Sequence, residues 1–179
     1  MPRRSKVLHR LPACWEQVEA LTEILHGPQI APLEILEAIA DEAVDKARLP
    51  VDLPHPQFLA LASGIQLLPV PGLQRLAVVD AHGVVLYRPR ADRRRLAFAL
   101  YHEIAECLLA RSRWPHTHAD VQLLTLMLMV PRAVAEPLRR RMGLAGASRL
   151  LVRRHRHAPA WAIRMRMFVL ASAIHEAAA

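Results

Sequence analysis

An α+β fold, mostly helical with one small antiparallel sheet, is what this 179-residue sequence predicts. Three observations predict it. Apolar residues recur at helical spacing on both sides of the middle of the chain. Three short β-prone segments lie together between residues 65 and 88, and a Gly-containing turn joins the last two of them. The length suits one domain with a proper core, and 53% hydrophobic residues argue against intrinsic disorder.

Residues 1–13 read as a basic flexible arm ending at Pro12. From Cys14 to His26 a helix carries Trp15, Val18, Leu21 and Leu25 on one stripe, and Gly27-Pro28 stops it. The next helix starts at Pro32, a favoured first-turn residue, and runs to about Arg48. Its inner stripe is Leu36, Ile39, Ala43 and Ala47, with Glu34, Glu37, Asp41 and Asp45 facing water. The Pro-rich run from Pro50 to Pro56 is a stiff turn into a short helix, Gln57 to Ser63, closed by Gly64.

Residues 65–70, 76–80 and 84–88 read as strands. Pro69 makes the first an edge strand or bulges it, and Ala81-His82-Gly83 forms a hairpin turn between the other two. Asp92 is a good N-cap for a helix from about 93 to 111. A helix from about Ala119 to Val130 is apolar nearly all round and therefore buried, and Pro131 follows it. Two or three helices fill 132–179, the clearest starting at Pro159. The chain thus divides into the arm (1–13), N-terminal helices (14–49), a core (50–131), and a C-terminal helical region (132–179) that packs as one unit with the core.

No apolar run reaches the roughly 18 residues a membrane helix needs, and the basic N-terminus lacks a signal-peptide core. A cytoplasmic protein with no membrane association is expected. Cys14 and Cys107 sit in apolar helical surroundings, which suits buried free thiols. The net charge of +8 is unevenly spread: residues 14–52 are acidic, whereas residues 132–166 are rich in Arg. That asymmetry suits nucleic acid, an acidic protein partner, or a solvated basic face that neutralises the acidic helices. With only 4% aromatic residues and none interleaved among the basic ones, a stacking platform for single strands is disfavoured.

The chemistry gathers on the helix from 93 to 111. His102 and Glu106 are four apart, hence on one face, and Glu103 flanks them. This is the layout of the H-E-x-x-H zinc helix, in which the Glu polarises a metal-bound water, with Glu106 in place of the second His. A buried Glu there needs a metal or a partner. His116 and His118 lie in the following loop and either can supply the missing imidazole. Asp120 has two readings, a ligand or the far end of a Thr117-x-x-Asp120 capping box.

Over about residues 50–170 the chain resembles the ImmA/IrrE family of zinc metallopeptidases. Pro50-Val-Asp-Leu and Ala62-Ser-Gly-Ile65 look like that family's segment before its first strand. Arg95-Leu-Ala-Phe-Ala-Leu-Tyr-His102-Glu103-Ile-Ala-Glu106 is similar to its R-x-T-L-A-H-E-x-x-H helix except at the last position. Asp120-Val-Gln-Leu-Leu-Thr-Leu-Met-Leu-Met-Val-Pro131 looks like its E-A-N-x-F-A-x-x-L-L-M-P helix. The resemblance implies a zincin-like core over 50–131, with the small sheet packed beside the H-E-x-x-E helix. It also implies metal ligands His102, Glu106 and Asp120, and Glu103 as general base. The expected activity is a zinc metalloendopeptidase that cleaves a helix-turn-helix transcriptional repressor. One imidazole with two carboxylates is a harder donor set than usual, so Mn2+ is an alternative to Zn2+ and the bound water is less acidic. The other reading is an inactive relative that binds a regulator or DNA through its Arg-rich C-terminal region.

Overall fold

The computed structural model describes residues 28–47, 55–155 and 157–177. The expected arm, the helix at 14–26 and residues 50–54 of the Pro-rich turn lie outside them. Helix α1 spans Leu33–Lys46 and α2 spans Pro56–Ala62; strands β1, β2 and β3 are Leu67–Pro69, Ala77–Val79 and Val85–Tyr87. Four helices follow: α3 (Arg93–Ser112), α4 (His118–Met129), α5 (Arg132–Arg154) and α6 (Ala160–Ala177). The α+β class is as the sequence predicts.

The sheet differs in one respect. It is mixed, in the order β1-β3-β2, with β1 parallel to β3 and β2 antiparallel to it. A tight turn forces the hairpin partners to run oppositely. There Asp80 Oδ1 accepts from His82 N and Val84 N, and Gly83 takes φ 75°. The segment between β1 and β2 instead carries the chain to the far edge, so the strand that closes against β1 runs the same way. Pro69 does lie on an edge strand, where its missing N–H costs no ladder bond.

Helix α4 is the centre of the core. From Ala119 to Met129 every residue is buried, and α1, α3 and α6 pack round it. Helix α3 lies between α4 and the sheet, burying Leu100, Tyr101, Ile104 and Leu109. Asp92 Oδ1 accepts from Arg94 N (3.1 Å) and Arg95 N (3.0 Å) at its start. At its far end Arg111 donates to the carbonyls of Ser63 (2.6 Å) and Gly64 (3.2 Å), tying α2 to α3. Helix α5 is bent at Gly143, whose φ of 71° and ψ of 172° only glycine adopts readily.

On α1, Leu36, Ala40 and Ala43 are buried, whereas Ile39 and Ala47 are only partly so. Glu37, expected in water, turns inward instead. It receives Arg166 of α6, which is 0% exposed, through Nη1 (2.7 Å) and Nη2 (2.8 Å). Arg166 Nε also donates to Val130 O at 3.1 Å, so one guanidinium ties α1 and the end of α4 to α6. Among the described residues no single helix is long and apolar enough to cross a membrane.

Candidate metal centre

His102, Glu103 and Glu106 come together on the face of α3. One ligand atom from each lies within 4.8 Å of the other two, so the group can hold a metal ion. The helix itself supplies the spacing, since residues three and four apart are neighbours on its surface. His102 and Glu103 are half-buried and Glu106 is exposed, so the site opens to solvent along one side.

Strand β2 borders it. Val79 N donates to Glu103 Oε2 at 2.9 Å, which fixes the carboxyl against the sheet. Burial, with the charge of Glu106 added to it, pushes Glu103 up to about 7, against the opposing pull of Val79 N–H and Arg75. Burial first, then the charge of His118, pushes His102 down to about 4, so its ring is neutral at physiological pH. His102 Nδ1 is buried and has no hydrogen-bond partner. A neutral imidazole with an orphaned nitrogen beside two carboxylates fits a divalent cation, because such a ring keeps a lone pair to give.

The remaining sequence-predicted residues arrange themselves around this group. The His118 ring stands 5.0 Å from that of His102, centroid to centroid, nearly edge-on. His116 lies apart, its Nδ1–H donating to Trp114 O at 2.9 Å. Asp120, 0% exposed, is outside the group. It completes the capping box with Thr117, its Oδ2 accepting from Thr117 N (2.8 Å) and also from Ile30 N (3.3 Å). Its Oδ1 is buried without a partner. The capping reading of Asp120 is therefore formed, and the two carboxylates gathered near His102 are those of Glu103 and Glu106. Cys107 is a buried free thiol, raised mainly by burial; Cys14 lies outside the described residues.

Two contributors have no mark in the motif: the Val79 N–H and Gln122. Gln122 follows His118 by four residues, and its Nε2 is 3.2 Å from His118 Nε2. The spacing rule that links His102 to Glu106 would have found it. Compared with known proteins, the chain matches no family profile, and it matches no curated protein.

Proposed function

We propose that the protein is a metal-dependent peptidase in which His102 and Glu106 of α3 and His118 of α4 hold a divalent cation. Glu103 is the general base. The observation that carries this reading is the gathering of His102, Glu103 and Glu106 within 4.8 Å on one helix face. The His118 ring beside His102 supports it, since two imidazoles and one carboxylate are a donor set that catalytic zinc takes. Zinc is the preferred ion, and manganese is the alternative for a site this rich in carboxylates.

Bound there, the cation would act as a Lewis acid toward water and a peptide carbonyl. The chain's own residues do the rest. A Glu103 carboxyl that titrates near neutrality can take a proton from the attacking water and return it to the leaving amine. Val79 N–H keeps that carboxyl from swinging away. The exposure of Glu106 and His118 leaves room for a macromolecular substrate. The resemblance of α3 and α4 to the ImmA/IrrE motifs points to a helix-turn-helix repressor as that substrate.

The test is incubation of the full chain with candidate repressors, with zinc, manganese or chelator. Cleavage by the wild type, abolished by chelator and by Glu103→Gln, is expected. If the wild type cuts none of them under either ion, and elemental analysis finds no bound divalent metal, the reading fails.

A further inference from the structure

Between Glu136 and Glu176 the sequence carries nine arginines and no acidic residue. Folding disposes of part of that charge. Arg166 is buried against Glu37, and Arg139 and Arg140 share Glu136. Arg149, Arg153 and Arg154 are exposed, and no carboxylate among the described residues pairs with them. The acidic N-terminal half therefore does not neutralise these three.

All three belong to the part of α5 that follows the bend at Gly143. Ala147 and Leu151 form its buried stripe. Arg149 and Arg153 stand on the opposite face, one turn apart and about 6 Å along the axis, so they present a short row of charge to solvent. Arg153 and Arg154 lie in the last turn, where the helix dipole favours cations and leaves the guanidinium groups themselves in water.

The chemistry of this face selects its partner. Guanidinium groups match phosphate oxygens in a bidentate fashion. Over residues 145–154 no large apolar side chain is exposed, and Met142 and Leu144 at the bend lie more than a turn before Arg149. A protein interface calls for an apolar anchor at its centre, and a membrane-surface helix for an apolar face. A phosphate backbone calls only for cations. Residues 144–154 include no aromatic side chain on which unpaired bases could stack, so the fit is to a duplex rather than a single strand.

We infer that α5 binds the phosphate backbone of duplex DNA through Arg149, Arg153 and Arg154, without reading base sequence. This goes beyond the peptidase reading and does not rest on it.

The experiment follows the anisotropy of a labelled duplex with the full chain over a range of salt. Three neutralised phosphates give a log–log slope of about −2.7, so affinity should fall roughly 40-fold between about 50 and 200 mM salt. The double change Arg149→Gln/Arg153→Gln should flatten the slope by about 1.8, whereas Arg149→Lys/Arg153→Lys should keep it, since charge alone releases counterions. Arg90→Gln, exposed in the turn before α3, removes the same charge elsewhere and should leave the slope unchanged. Scrambling the duplex sequence should leave affinity unchanged. The inference is overturned if the wild type fails to bind at about 50 mM salt, or if the Gln double variant keeps the wild-type slope. It is equally overturned if Arg90→Gln flattens the slope as much per charge, because net charge would then be the whole effect. Tighter binding to phosphatidylserine vesicles or to polyglutamate than to duplex, at equal charge concentration, would assign the face to a membrane or an acidic protein instead.

Discussion

Glu103 and Glu106 are three residues apart on α3, the first half-buried and the second exposed. Burial first, then the neighbouring charge of Glu106, raises Glu103, which keeps its proton up to about pH 7. If Glu103 is the general base proposed above, it is poised for work near neutral pH, and Glu103→Gln should retain the metal and lower turnover by roughly 10²- to 10⁴-fold. Elemental analysis alongside a cleavage assay checks both halves. The motif made His102, Glu103 and Glu106 legible because helical spacing alone brings them together. It left Asp120 ambiguous, since an acidic residue three after a Thr serves a cap or a cation equally well in sequence. Its engagement by Thr117 N and Ile30 N, the latter 90 residues away in the chain, is a tertiary fact.

At the scale of elements, α5 shows how local charge and backbone act together. Glu136 accepts from Arg139 at 2.9 Å and from Arg140 at 2.8 Å, and these hydrogen bonds, Arg139's first, hold its carboxyl down at about 2. The folded value lies below the unfolded one of about 4.5, so this stabilisation is present above pH 4.5 and is lost as pH falls through about 2. Glu136→Gln should therefore lower the urea midpoint at pH 7, and the gap to wild type should close between pH 4.5 and 2. Further along, Gly143→Ala meets no neighbouring atom, but it forces alanine into a glycine-only conformation. Its cost should be about 1–3 kcal/mol by urea unfolding, borne by the backbone alone. Helix positions were readable because period and caps are local: Asp92, Pro131 and Gly64 all punctuate where expected. The parallel pairing of β1 with β3 was not, because nothing in a three-residue strand records the direction of its partner.

For the whole molecule, the acidic N-terminal and Arg-rich C-terminal halves meet in the interior at Arg166 and Glu37. Arg166→Met leaves the Glu37 carboxylate and Val130 O without their donor, and should cost about 3–5 kcal/mol in urea unfolding. Adding Glu37→Leu should recover most of that loss, because a well-packed apolar pair avoids the desolvation of two charges. Sequence by itself determined the α+β class, the burial of α4 and the presence of a His102-Glu103-Glu106 face, since each follows from periodicity within a single element. Only the tertiary structure decided that Glu37 turns inward, that Asp120 caps, and that the His118 ring stands beside that of His102. Those outcomes depend on contacts between segments far apart in the chain, whose free energies are set by burial and geometry that no local spacing carries.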